Sequence, residues 1–349
     1  MRLFYVSLIV FVAFPISSCQ LVPPGSHSTE KPLWTTDLRD ATYGWDTSHT
    51  PAFFQATRQI AFGTDAELVV AKDSGPFAKP NEVRGFVLDA KNGSILREVH
   101  WTSGSWPFLF ATFTGKYAVV TQAGMAVYSQ GLQNILATGS HVADKASPDG
   151  HFLSATETIP GHGTTIFIDA DTLKANGTEF RDVYVWSIAD NRIASSASRN
   201  ASGIVLVTDV RKQPARYETD CRDIRPNFIT SDLLAVLGCK RVDVVSLTGG
   251  KVFSSTSEGD EAFFATASRD GSRFAVMQTF LMAGDPPRLS KERVTVFDVA
   301  RRRPVFVTDI SDLWGSTPGE SSGVALSPDG STLAVNSAGV VRLFALRVR

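Results

Sequence analysis

The 349-residue sequence has few of the features that usually reveal a chemical activity. It contains three cysteines, and its 34 Lys and Arg residues nearly balance 35 Asp and Glu residues, which gives a formal net charge of −1. Nucleic-acid binding needs a basic excess on one face of the protein, so this balance argues against a nucleic acid as the main partner. The densest basic run, Arg301-Arg302-Arg303, is more typical of a solvated turn.

The common motifs of catalysis are missing as well. The sequence has no H-E-x-x-H, no G-x-S-x-G and no Walker loop, and its six histidines show no metal-ligand spacing. Gly161-His162-Gly163 lacks the third glycine and the strand–helix context of a dinucleotide-binding fingerprint. We therefore predict neither a cofactor nor a metal site.

Only one long apolar run is present, at residues 3–14, directly after Met1-Arg2. A run of about a dozen residues is too short for a mature spanning helix, which needs roughly 20, but it suits a signal peptide. The next segment, Ile16-Ser17-Ser18-Cys19, resembles the lipobox of bacterial lipoproteins, in which the cysteine is lipidated and becomes the new N-terminus. An ordinary secretory signal cleaved nearby is the alternative. We predict a signal peptide at 1–18, a lipid-anchored flexible tether at 19–32 and a location on the periplasmic side of the envelope, or secretion if Cys19 carries no lipid.

Three cysteines are an odd number for an exported protein. If Cys19 carries lipid, Cys221 and Cys239 remain as a pair in an oxidising compartment. Cys221 precedes one predicted strand and Cys239 ends the next, so both lie at the same edge of an antiparallel pair. We predict a disulfide here, which closes a loop of about 18 residues and adds roughly 3 kcal/mol of stability in the chain-entropy model.

A repeated pattern of short strands and turns dominates the rest of the chain. The stretch "GVALSPDGSTLAVNSAGVVRLF" at residues 323–344 reads as strand, four-residue turn, strand, short loop and strand. Six further units of this kind precede it. They occupy residues 59–99, 108–137, 142–180, 183–217, 225–255 and 262–308.

The last unit has only three strands, and residues 33–38 offer the missing fourth one. Such closure removes the unpaired edges that an open array of sheets would leave. We therefore predict that residues 33–349 form a single all-β domain. It would be a seven-bladed β-propeller of four-stranded antiparallel blades, closed by an N-terminal strand that pairs into the last blade.

The units resemble the WD40-like and YVTN-type β-propeller repeats of bacterial cell-envelope proteins, in which Ser-Pro-Asp-Gly joins the first and second strands of a blade. This resemblance covers nearly all of the mature chain and concerns its architecture, because the Gly-His and Trp-Asp signatures of strict WD40 repeats do not recur from unit to unit. Proline presets φ, aspartate binds nearby amides and glycine accepts a positive φ, so the motif predicts a structural turn. Arg269 replaces the proline in one copy, which a turn tolerates. The predicted turn residues are Pro148, Asp149, Gly150, Asp270, Gly271, Pro328, Asp329 and Gly330.

One face of the predicted propeller carries the long loops. Loops between second and third strands, and those between consecutive blades, emerge together on this long-loop face. Functional residues concentrate in loops on a rigid scaffold, and exposed tryptophan is typical of interface anchors. These aromatic side chains could equally pack over the blade junctions, and both interpretations remain open. The candidate binding residues are Trp101, Trp106, His162, Phe280 and Trp314.

These observations favour a non-catalytic, monomeric lipoprotein of the bacterial envelope. It would bind an envelope protein or a small ligand through the long-loop face and touch the membrane only through its lipid anchor. The alternative is a propeller enzyme, lactonase-like or quinoprotein-like, with a site at the central channel. A third, weaker hypothesis is a structural component of an envelope complex. Channel residues come from all seven blades, so the sequence neither shows nor excludes a catalytic site there, and fold alone does not assign function.

Overall fold

The structure is a computed structural model that describes ten segments of the chain. These are residues 31–38, 59–73, 81–105, 108–159, 162–199, 202–209, 212–282, 288–310, 323–337 and 339–347.

The described segments contain twenty-eight β-strands, arranged in seven antiparallel sheets of four strands each. A short 3₁₀ helix, Gln130–Leu132, lies within the second sheet's last connection. Blades 1 to 3 are built from β2 Ile60–Thr64, β3 Glu67–Asp73, β4 Asn81–Asp89, β5 Ile95–Ser103, β6 Leu109–Ala111, β7 Tyr117–Thr121, β8 Gly124–Tyr128, β9 Ile135–Gly139, β10 Lys145–Ala146, β11 Phe152–Ile159, β12 His162–Asp169 and β13 Ala175–Arg181.

Blades 4 to 7 continue in the same order, and blade 7 takes its fourth strand from the other end of the chain. The strands are β14 Ser187–Ala189, β15 Arg192–Arg199, β16 Ser202–Asp209, β17 Lys212–Thr219, β18 Arg225–Thr230, β19 Leu233–Gly238, β20 Arg241–Ser246, β21 Gly250–Thr256, β22 Glu261–Ala267, β23 Arg273–Met282, β24 Arg288–Asp298, β25 Arg303–Ile310, β26 Gly323–Leu326, β27 Thr332–Ser337, β28 Val340–Ala345 and β1 Trp34–Asp37.

Closure of the ring occurs as predicted. Strand β1 pairs antiparallel with β28, with Trp34 opposite Leu343 and Asp37 opposite Val340. The indole Nε1 of Trp34 then donates a hydrogen bond to the carbonyl of Ala90 in blade 1, at 2.8 Å. These contacts confirm the seven-bladed propeller and join its first and last strands.

The hydrophobic core lies between neighbouring blades, because each sheet is buried on both faces. Side chains along a strand alternate in direction, so one strand contributes to two adjacent interfaces. In β3, Leu68 and Val70 pack with blade 7 residues such as Leu343, whereas Val69 and Ala71 pack with blade 2. This explains the near-continuous apolar runs of the second and third strands.

The repeated four-residue turn has the same hydrogen bonds in each Ser-containing copy. In blade 7, the Ser327 hydroxyl donates to Asp329 Oδ1 at 2.7 Å and accepts from the Thr332 amide at 3.0 Å. The Gly330 amide donates to the Ser327 carbonyl at 2.9 Å, and Gly330 has a φ of 68°. Ser147 and Ser268 make the equivalent bonds in blades 3 and 6.

The serine of this motif is therefore as important as its proline, aspartate and glycine. All three serines are buried, and each hydroxyl bridges the two strands that the turn connects. Blade 2 has Thr112 at this position, followed by Gly115 with a φ of 79°, so "TFTG" is a fourth version of the turn. We call the side of the propeller that carries these turns the turn face.

The predicted disulfide is present between Cys221 and Cys239, whose Cα atoms are 5.7 Å apart. Cys221 lies before β18, and Cys239 follows β19 in a tight turn where its φ is 47°. Both positions lie at the long-loop side of blade 5, so the bond fastens the connection between blades 4 and 5 to the blade that follows.

Candidate functional site at the axial channel

An axial cavity of about 610 Å³ runs through the centre of the propeller. All seven blades contribute to it through their first strands, each of which is an edge strand of its sheet. Edge strands expose backbone N–H and C=O groups on their unpaired side, so the wall offers donors and acceptors as well as side chains. The wall is formed by residues 60–62, 108–111, 144–148, 184–188, 225, 227–228, 263–267 and 324–326.

At the turn face, Arg269 reaches across the end of this channel. Its Nη2 donates to the carbonyls of Gly63 at 3.2 Å and Thr112 at 3.0 Å, and its Nη1 donates to that of Phe113 at 3.1 Å. The side chain thus extends from blade 6 to blades 1 and 2. Burial lowers the pKa of Arg269, while nearby carboxylates such as Asp65 oppose that shift. Arg269, which replaces the motif's proline, is therefore compatible with the turn and also joins three blades at this end of the channel.

Neighbouring turns around Arg269 are bonded to one another. The Asp270 amide donates to the Pro328 carbonyl at 3.2 Å, and the Asp329 amide donates to Asp65 Oδ1 at 3.2 Å. Pro328 and Arg269 both line the cavity. The turn face consequently places backbone and side chains from several blades at this end of the channel.

Aromatic side chains surround the channel at its long-loop end. Tyr184 lies just before β14, is 70% exposed and lines the cavity. Its ring meets that of Trp186 edge-on, with the centroids 5.0 Å apart, and Trp186 Nε1 donates to Ser196 Oγ at 2.7 Å. Phe108 and Phe263 line the cavity in blades 2 and 6. One exposed aromatic ring is thus held against a second ring that is fixed by a hydrogen bond.

Charged side chains also line the cavity. Lys145 and Asp144, at the start of β10, form an ion pair with each other. The guanidinium of Arg225 lies 4.7 Å from the Phe263 ring centroid and 3.9 Å from Glu261. Opposite charges beside aromatic faces give this rim polar specificity on an apolar surface, as is common in ligand and peptide sites.

Trp101, the first candidate residue, lies in the junction between blades 1 and 2. It is half-buried, its Nε1 donates to the Val120 carbonyl at 3.0 Å, and its ring fills the space beside Gly85. A Cβ on Gly85 would lie 2.6 Å from this ring. Trp101 therefore packs between blades 1 and 2.

Phe280, another candidate residue, lies on the long β23–β24 hairpin of blade 6. It is partly exposed, and Lys291 Nζ and the Arg293 guanidinium lie 4.5 and 5.1 Å from its ring centroid. Burial would raise the pKa of Asp309, but hydrogen bonds from Arg293 and Lys291 lower it overall. Phe280 is thus held by cations on the side of the propeller that also carries the channel rim.

The structure does not describe the side chains of the three remaining candidate residues. Trp106 and Trp314 lie outside the described residues, and His162 begins β12 but its side chain is not described. Within the described segments, no three His, Cys, Asp or Glu side chains are grouped to hold a metal ion. No helix in those segments has the length and apolar character to cross a membrane.

Tyr184, Trp186, Lys145 and Arg225 were not singled out by sequence reasoning. Each lies at or just before a first strand, and the closeness of first strands follows only from the ring. Knowing the blade register, one could have found them as the aromatic and charged residues that start these strands in blades 3, 4 and 5.

The sequence matches no family model, and no curated protein is significantly similar to it. Solved structures do resemble it. The crystal structure of TolB from Acinetobacter baumannii aligns with a TM-score of 0.42 and 12% identity, covering 80% of both chains. That of Kluyvelomyces marxianus Hsv2 aligns with a TM-score of 0.46 and 12% identity, covering 80% of this chain and 90% of the other. The assignment of seven blades depends on the strand pairing itself.

Proposed function

We propose that the protein is an exported β-propeller that binds a partner protein or small ligand at the long-loop end of its axial channel. The observation that carries the proposal is the cavity of about 610 Å³, crossed by Arg269 at the turn face and bordered by Tyr184 and Trp186 at the other end. A cavity of this size falls within the range typical of ligand sites, about 300–1,000 Å³.

The sequence supports the cellular setting of this proposal. Residues 1–18 have the pattern of a signal peptide, and Cys19 stands where a lipoprotein carries its lipid. The protein would then act on the periplasmic side of the envelope, anchored through residue 19. Mass spectrometry of the purified protein tests the anchor: the expected N-terminal peptide begins at residue 19 with a diacylglyceryl group. An unmodified N-terminus elsewhere would overturn the anchor while leaving the binding site open to test.

Site-specific photocrosslinking in cells tests the binding site. A photoreactive amino acid replaces Tyr184 at the channel rim in one variant and Phe113, an exposed aromatic residue of the turn face, in the matched control. We expect adducts of defined mass from position 184 and none from position 113. Equal crosslinking from both positions, or crosslinking from position 113 alone, would contradict the proposed face.

Substitution of the rim then separates binding from folding. Tyr184→Ala and Arg225→Ala should lower partner capture, since the first removes an exposed ring and the second a cation that lies on Phe263. Trp101→Ala serves as the contrasting variant, because it should lower stability through lost packing between blades 1 and 2. Unchanged capture by the two rim variants would argue against the channel mouth as the site.

A further inference from the structure

The outer strands of three consecutive blades expose large apolar side chains at equivalent positions. In blade 1 these are Ile95 and Leu96, in blade 2 Ile135 and Leu136, and in blade 7 Leu33. Their exposed fractions lie between 49% and 59%. We call these five residues the outer arc.

The equivalence follows from strand register. Ile95 pairs with Leu88, and Ile135 pairs with Tyr128. Leu88 and Tyr128 both lie at the turn-face end of the third strand of their blade. A register shift follows each pair, so Leu96 and Leu136 are the extra residues of two β-bulges. A bulge places two consecutive side chains where a regular strand would expose one.

Leu33 completes the set in blade 7. Its amide donates to the Leu343 carbonyl at 2.7 Å, one residue before the first pair of β1. It therefore lies directly before the fourth strand of its blade, and Ile95 is the first residue of the fourth strand of blade 1. Blades 7, 1 and 2 are consecutive in the closed ring. The outer arc therefore follows the corner where the outer side of the propeller meets the turn face.

Blades 3, 5 and 6 do not share this feature. The same two positions hold Ala175-Asn176 in blade 3, Lys251-Val252 in blade 5 and Pro304-Val305 in blade 6. Val252 and Val305 are partly buried against the blade core. Isolated exposed apolar residues are common on proteins, but pairs repeated at one position in neighbouring blades need a separate explanation.

The chain reaches the propeller at this same corner. Residue 31 precedes β1 on the turn-face side and lies twelve positions after Cys19. Twelve residues reach at most about 40 Å when fully extended, so a lipid on residue 19 would keep the outer arc close to a bilayer. Exposed Lys31, Lys91 and Arg97 flank the arc and suit anionic phospholipid headgroups.

From these observations we propose that the outer arc rests on the lipid surface of the membrane. Ile95, Leu96, Ile135 and Leu136 enter the interface between headgroups and acyl chains, and Leu33 lies beside them. The long-loop face then points away from the membrane toward its partner. The inference depends on the proposed anchor in one respect, since the anchor is what brings this corner to a bilayer.

Photolabelling in vesicles tests the inference. The full chain, purified from membranes in detergent, is reconstituted into vesicles of phosphatidylethanolamine and phosphatidylglycerol that contain a phospholipid with a photoreactive acyl chain. We expect label on peptides that contain residues 89–98 and 129–138, about tenfold above peptides from the long-loop side of blade 6. If the protein lacks lipid on Cys19, it is added to preformed vesicles and read in the same way, so a failed anchor and a failed arc give different results.

Substitutions provide the matched control. A variant with Ile95→Asp, Leu96→Asp, Ile135→Asp and Leu136→Asp should lose the label in residues 89–94 and 129–134 by about tenfold. Leu281→Asp with Met282→Asp, two exposed apolar residues of the blade 6 hairpin, should leave it unchanged. Thermal unfolding of each variant checks that the propeller is intact. Absence of acyl label from the arc in wild type, or a change of oligomeric mass in the arc variant without any effect on label, would overturn the proposal.

Discussion

Different interactions stabilise the turn face and the long-loop side of the propeller. On the turn face, buried serine and threonine hydroxyls bond to backbone amides, and Arg269 bonds to three carbonyls. On the long-loop side, a disulfide and charged pairs hold neighbouring strands, as Arg293 does with Asp309 at 2.6 Å and Glu258 at 2.5 Å. The repeated face depends on local geometry that is the same in several blades. The other face is different in every blade, which leaves its loops available for recognition.

The largest expected effect concerns the disulfide of the long-loop side. A Cys221→Ser, Cys239→Ser double variant should lose about 3 kcal/mol of stability, because its unfolded chain is no longer constrained. Guanidinium denaturation measures the loss. Reductant should destabilise wild type to a similar extent and leave the variant unchanged; a wild type that is insensitive to reductant throughout unfolding would contradict this.

Arg269→Ala should produce the next largest effect, on the turn face. Hydrogen bonds from a charged donor contribute about 1.5–3 kcal/mol, so we expect a loss of about 2 kcal/mol. Amide exchange should become faster at residues 112–115, near the carbonyls that lose their donor. Arg303→Ala, an exposed arginine of the same blade, is the control and should be nearly neutral. Equal losses of stability in the two variants would contradict the role of Arg269 in stabilising the channel end.

Ser327→Ala tests the repeated turn itself. It removes a buried hydroxyl and leaves the Thr332 amide without its side-chain acceptor, which should cost about 1–2 kcal/mol. Ser94→Ala, at an exposed serine, provides the comparison. If both variants unfold at the same denaturant concentration as wild type, the serine is not a structural part of the turn.

The smallest effect is a pH dependence on the long-loop side. The pKa of Asp309 lies below its ordinary value of 3.8 in the folded protein. The ionised carboxylate therefore stabilises the folded protein at pH values above 3.8. This stabilisation is lost as pH falls from about 4 through the folded pKa. Asp309→Asn should therefore unfold more easily than wild type at pH 7, and the difference should vanish at the acid end of a thermal-unfolding series. A constant difference across that series would contradict the assignment.

The sequence was sufficient for the propeller because turn chemistry and strand alternation are local. Gly330 with its positive φ, the alternating strands and the separation of Cys221 from Cys239 all concern residues near one another in the chain. Closure by residues 33–38 needed only the count of strands in the last unit.

The candidate site could be predicted only in part, because its residues meet through the ring. Arg269 donates a hydrogen bond to Gly63, which is 206 positions away in the sequence, and no local sequence pattern predicts that contact. Trp101 was a candidate because of its residue type, yet a hydrogen bond and Gly85 place it in a blade junction. Tyr184, in contrast, is exposed at the channel although nothing in its local sequence distinguishes it.

The closing strand also has a mechanical consequence. Any pull on the chain before residue 31 enters the propeller through β1, along the strand axis. The load is then shared by the backbone bonds of β1 to β28 and by the side-chain bonds of Trp34 and Thr36 to blade 1. Bonds that lie across the direction of pulling must break together rather than one after another. The seam that completes the ring is thus also its point of attachment, and it is arranged to resist force in shear.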